Sequence, residues 1–151
     1  MSEVHQYTVN LEWKSDRKGE VSSPELPTTI EVATPVDFPG GMPGIWSPEH
    51  LFVAAVNTCL MTTFLAIAEN SKLEFISFSC KSVGVLDKVD GKFQVSEITL
   101  KPELIIPEGT NEERALRIIE KSEQHCLISN SIKSNIILEP KIIVEKRTSS
   151  V

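Results

Sequence analysis

The stretch from Leu51 to Ala68, LFVAAVNTCLMTTFLAIA, carries no charge, and few environments can accept such a segment. A membrane-spanning helix needs about 20 strongly apolar residues, usually with Lys or Arg at its ends. This run contains Asn57, Thr58, Thr62 and Thr63 and is flanked by Glu49 and Glu69. It reads as a central core helix, apolar on most sides and therefore wrapped by a sheet or by a second subunit. No membrane association is expected. Met1 to Tyr7 has neither the basic residues nor the apolar stretch of a secretory signal, which points to the cytoplasm.

The chain of 151 residues suits a single domain, 1–151. Its formal net charge of −6 argues against nucleic acid, since phosphate contacts need a basic face. Three cysteines do not make a disulfide scaffold, and an odd count fits reduced thiols in the cytosol.

Around the core helix the pattern is one of strands in hairpins. Tyr7, Val9, Leu11 and Trp13 alternate with polar residues, predicting a half-buried strand over Tyr7–Lys14. The polar turn Ser15–Gly19 leads back through Glu20–Ser22, and Thr28–Ala33 forms a third strand. Between Thr34 and Trp46, three prolines and three glycines exclude regular structure. Ser47-Pro48-Glu49 opens the core helix with a capping hydroxyl, a proline tolerated at the first position and an acid at the positive end of the dipole. Asp90-Gly91 predicts a hairpin between Phe75–Leu86 and Phe93–Ile106, and the apolar phase switches between Val95 and Ile98, suggesting a bulge. Thr110 and Glu113 have capping-box spacing at the start of a second helix with Cys126 on its buried stripe. A final strand covers Asn135–Lys146. The order βββ-α-ββ-α-β is α+β with largely antiparallel sheets.

Two readings of the thiols stay open. Cys59 and Cys126 are either small core residues, as free cysteines often are, or a facing pair in which one is oxidised to sulfenic acid and the other condenses with it. Cys80, in an alternating strand, reads as core. Arg17 is either a solvated turn charge or a functional cation, and Glu49 either a dipole partner or a functional carboxylate. Glu49 and Cys59 are ten residues apart, about 15 Å along a straight helix, so if both serve one site a second subunit supplies one of them. His50 and His125 form no metal-ligand spacing with the cysteines.

SPEHLFVAAVNTCLMTTFLAIAEN resembles the signature of the OsmC/Ohr family of osmotically induced and organic-hydroperoxide-resistance proteins, with its proline-glutamate helix start and alanine-rich run ending in a cysteine. HCLISNSI around Cys126 resembles the second family motif, and ATPVDFPGGMPG the loop before the helix. Leu127 stands where the organic-hydroperoxide branch often has proline. The resemblance implies an OsmC-like fold, mostly antiparallel sheets wrapped around two central helices in an intertwined homodimer with active sites at the interface. It assigns Cys59 as the peroxidatic thiol and Cys126 as the resolving thiol. It further makes Arg17, or its neighbour Lys18, the catalytic cation, and Glu49 the carboxylate that holds it.

On that basis the expected function is reduction of an organic hydroperoxide in oxidative-stress defence. The Cys59 thiolate attacks the peroxide and becomes sulfenic acid, Cys126 closes the disulfide, and an external dithiol reopens it. Leu60, Met61, Phe64 and Phe52 are expected to favour a substrate with an organic tail. No cofactor and no metal are expected. A dimeric module binding a small apolar ligand is the alternative. Acyl transfer through Cys59 would need His50 or His125 near the thiol.

Overall fold

The protein is described by a computed structural model covering residues 4–146; Met1–Glu3 of the leader reading and Arg147–Val151 lie outside the described residues. These residues fall into two compact units divided between Phe52 and Val53, inside the core helix.

The first unit is a three-stranded antiparallel sheet, β1 (Asn10–Ser15), β2 (Lys18–Ser23) and β3 (Leu26–Ala33), in that order. β1 starts three residues later than its alternation predicts, and all six of its residues are exposed, so neither face is covered by the described residues. Leu11 and Trp13 are 71% and 74% exposed. The half-buried strand read from the sequence therefore lacks its cover here. The loop after β3 ends at Trp46, which bridges Val32, and the helix α1 (Pro48–Asn70) follows. Ser47 caps it as expected: its Oγ accepts from the His50 amide at 3.1 Å. The same hydroxyl meets His50 Nδ1 at 2.6 Å, and the imidazole stands edge-on to Trp46.

From Val53 onward lies the second unit. One stripe of α1, Val56, Cys59, Leu60, Phe64 and Ala68, is buried at helical spacing, whereas Met61 and Leu65 on the other side are 37% and 41% exposed. The long antiparallel hairpin of β4 (Ser77–Val89) and β5 (Lys92–Pro107) turns at Asp90-Gly91, both at positive φ, the conformation an Asp-Gly turn provides. Its register shifts where Val85 faces Glu97 and Leu86 faces Val95, which leaves Ser96 as the extra residue. This is the bulge expected from the phase switch. Beyond it Ile98, Leu100, Pro102, Leu104 and Ile106 are buried on alternate positions.

α2 (Glu112–Gln124) buries Ala115, Ile118, Ile119 and Ser122. Its cap is Asn111, whose side chain accepts from the Arg114 amide at 3.0 Å, and not Thr110. Asn111 puts an acceptor one residue closer to the first turn. The final strand is two strands, β6 (Asn135–Leu138) and β7 (Lys141–Glu145), both parallel to β5 and in line along the same edge. Pro140 cannot donate to the ladder, and the break falls opposite Lys101-Pro102, where β5 also loses a donor. The sheet order is β4-β5-β6 with β7 also on β5. The core of this unit is Phe64, Ala68, Leu73, Leu104, Ile106, Ala115, Ile118 and Ile119.

Candidate active site

Cys59 sits on the buried stripe of α1, 8% exposed. That small exposure opens into a shallow groove of about 460 Å³ walled by Ala54, Ala55, Thr58, Thr62, Leu127 and Ile128. Cys126 is fully buried. It lies beyond the second helix rather than on it: α2 stops at Gln124, His125 caps it, and Cys126 begins the turn to a short 3₁₀ segment at Ser129–Ser131. That turn is tied down by Cys126 N–H donating to Glu123 O and Asn130 N–H donating to Cys126 O, both at 3.1 Å.

The two thiols are in hydrogen-bond contact, and their surroundings shift them in opposite directions. Burial alone would raise Cys59, but the Cys126 thiol, the backbone amides of Ile128 and Leu127, and the Thr63 hydroxyl all donate to it and hold it below an ordinary thiol. The Thr63 Oγ1 lies 3.9 Å from Cys59 Sγ. Burial and the neighbouring Cys59 together raise Cys126. Of the two, Cys59 is the thiol whose ionised form is favoured, and Cys126 is the donor beside it. All three cysteines are free thiols.

Several of these groups escaped sequence reasoning. Thr63 lies one helical turn after Cys59, a spacing that could have found it. The amides of Leu127 and Ile128 carry no side-chain signal. Leu60 and Phe64, expected around the thiol, are fully buried in the core and do not line the groove. The apolar wall beside Cys59 is built from Ala54, Ala55, Leu127 and Ile128. Cys80 on β4 is half-buried, and burial raises it; Asn57 of α1 donates to its carbonyl at 3.1 Å. Neither His50, engaged with Ser47, nor His125 is among the hydrogen-bond partners of Cys59.

Arg17 and Glu49 border one pocket of the first unit, with no ion pair between them among the described residues. Both line this pocket of about 510 Å³ with Trp13, Pro35 and Phe38. Glu49 Oε1 is buried and without a hydrogen-bond partner. Arg17 lies across Gly40, where a Cβ would come within 3.0 Å of Nε, so the glycine makes room for the guanidinium. Lys18 borders the same pocket, but its ammonium is 3.2 Å from Glu31 Oε1. Of the two cations, Arg17 is the one without an ion pair among the described residues.

The OsmC-like protein family model matches residues 39–141, a span that holds Glu49, both helices and both thiols. The chain belongs to the OsmC family. It is similar to the uncharacterized protein YmaD of Bacillus subtilis (strain 168), 26% identical over 140 residues, covering 89% of this chain and 91% of that one. It is 29% identical over 93 residues to the peroxiredoxin OsmC of Escherichia coli (strain K12), covering 62% of this chain and 64% of that one. The fold matches the crystal structure of an organic hydroperoxide resistance protein from Elizabethkingia anophelis with a TM-score of 0.76 at 22% identity, over 96% of this chain and all of the other.

Proposed function

We propose that this OsmC-family protein is a cysteine-based peroxidase that reduces organic hydroperoxides through Cys59 and Cys126. One observation carries the reading: two thiols in hydrogen-bond contact, the lowered one opening into a groove and the raised one buried behind it. Two inert core cysteines would both be raised by burial.

The chemistry follows from that asymmetry. The Cys59 thiolate attacks the peroxide oxygen, the O–O bond breaks, and the alkoxide leaves as alcohol after taking a proton. Cys59 is now sulfenic acid, and Cys126 displaces its hydroxyl to form the disulfide. An external dithiol restores both thiols, and the reaction draws all its atoms from thiol and peroxide. Alanine, leucine and isoleucine walls suit a substrate with an organic tail.

Arg17 is assigned the cation that steers the peroxide, and Glu49 the carboxylate that orients it. Glu49 is in the first turn of α1, and Cys59 ten residues later is about 15 Å along the axis. A second copy of the chain therefore supplies Arg17 and Glu49 to each thiol pair. The uncovered apolar residues of β1 and α1, Leu11, Trp13, Met61 and Leu65, are the surface such a homodimer would bury. The reading fits a compartment where thiols are kept reduced, such as the cytoplasm.

Peroxide consumption supported by a dithiol tests it. Wild type should consume cumene hydroperoxide catalytically and Cys59→Ser should not. Equal, background-level consumption by both would favour a binding module with inert thiols.

A further inference from the structure

Once Cys59 has become sulfenic acid it is no longer the anion that its neighbour supported, and Cys126 must lose its proton before it can attack. The pocket around Cys126 holds a group for that proton. Glu123 stands three residues before Cys126, in the last turn of α2, and Ser129 three residues after it, at the start of the 3₁₀ segment. Ser129 lies beside both the Cys126 thiol and the Glu123 carboxyl and lowers each of them. Yet Glu123 Oε2 and Ser129 Oγ are both buried and neither is committed to a bond of ordinary geometry. A buried carboxylate oxygen and a buried hydroxyl left uncommitted are costly, and both lie beside the thiol that must be deprotonated.

We propose that Glu123, acting through the Ser129 hydroxyl, is the positioning residue and proton acceptor for the resolving step at Cys126. The inference rests on the peroxidase reading. The Cys126 thiol gives its proton to Ser129 Oγ as the Ser129 proton passes to the Glu123 carboxylate. The Cys126 sulfur then forms its bond to the Cys59 sulfur, the Cys59 S–O bond breaks, and the leaving hydroxide takes a proton from solvent to become water. Cys126 is oxidised, the sulfenic sulfur is reduced, and Glu123 later returns its proton to solvent.

The environment of Glu123 suits this role. Burial raises its carboxyl above the usual range, although the Ser129 hydroxyl partly offsets this, so it is a better base toward a thiol than an exposed glutamate. Among titratable groups, Cys80 on β4 faces Glu123, and Cys59 on α1 faces Cys126. Cys80 is held as a neutral thiol by burial first and by the nearby carboxylate last, so it does not compete for the proton.

Single-turnover oxidation of the reduced full chain by one equivalent of cumene hydroperoxide separates the two steps. Peroxide loss reads the first, and dimedone trapping of sulfenic acid against disulfide formation reads the second. Glu123→Gln and Ser129→Ala should leave the first step at the wild-type rate and lengthen the sulfenic acid lifetime about tenfold or more. Ser129→Thr, which keeps the hydroxyl, should resolve nearly as wild type. The resolving rate of wild type should level off once Glu123 is ionised, whereas in Glu123→Gln it should climb until Cys126 itself ionises. Should either variant resolve at the wild-type rate with an unchanged pH profile, the relay is wrong while the peroxidase reading stands. If wild type forms no sulfenic acid at all, the peroxidase reading falls and takes the relay with it.

Discussion

Cys126 donates a hydrogen bond to Cys59, and the pair is split by its surroundings, with Cys59 held below an ordinary thiol and Cys126 raised above it by burial. The division is made locally. Thr63 on the same helix and the amides of Leu127 and Ile128 strengthen it, without any charged side chain.

Removing one of those donors should weaken the thiolate. Thr63→Val keeps the shape and deletes the hydroxyl, so the Cys59 pKa should rise by roughly half a unit to one unit, the scale of a single hydrogen bond. Cys126→Ala removes the strongest donor and should raise it at least as much. The midpoint of Cys59 alkylation by iodoacetamide against pH reads both. A midpoint unmoved by either change would mean that the amides alone hold the thiolate.

Arg17 and Lys18 border one pocket, and among the described residues only Lys18 is paired with a carboxylate. Arg17→Ala should slow oxidation of Cys59 by about tenfold or more, while Lys18→Ala should behave as wild type. Folding should survive both, since exposed charges contribute little to stability. Stopped-flow oxidation rates decide it, and the reverse pattern would move the role to Lys18.

Glu123 should make the fold pH-sensitive. Its carboxyl is raised above the value of an exposed glutamate, so its contribution to stability is full below the unfolded pKa and is lost as pH rises through the folded one. At neutral pH the ionised, half-buried group is a small burden. Glu123→Gln should raise Tm by roughly one to three degrees at pH 7 and have no such effect under acid conditions, as read by thermal melts. A lower Tm at pH 7 would mean that the carboxylate makes a stabilising bond.

The exposed side of α1 should be covered in solution. Sedimentation at micromolar concentration should give twice the mass of the chain, and charge placed there, as in Leu65→Lys, should shift it toward monomer. A wild-type monomer would leave Glu49 and Cys59 of one helix with no means of meeting.

How much of this could be read from residues alone differs from part to part. The core helix, its Ser47 cap, the Asp90-Gly91 turn and the bulge at Ser96 rest on local signals that tertiary structure did not override. The split of the last strand was also written locally, in Pro140, but its parallel pairing was not, because direction depends on where the chain has travelled. Alternation in β1 could not say what covers it, and among the described residues nothing does. At the site, Cys59, Cys126, Glu49 and Arg17 stood out by type and motif. Thr63, Ser129 and Glu123 did not, since a threonine, a serine and a surface-looking glutamate carry no chemistry until the fold sets them beside a thiol.

The most direct test of the central claim is peptide mass mapping, without reduction, after one equivalent of cumene hydroperoxide. The account predicts a disulfide joining Cys59 to Cys126, with Cys80 still a free thiol. A bridge that includes Cys80, or three thiols left unoxidised, would contradict it.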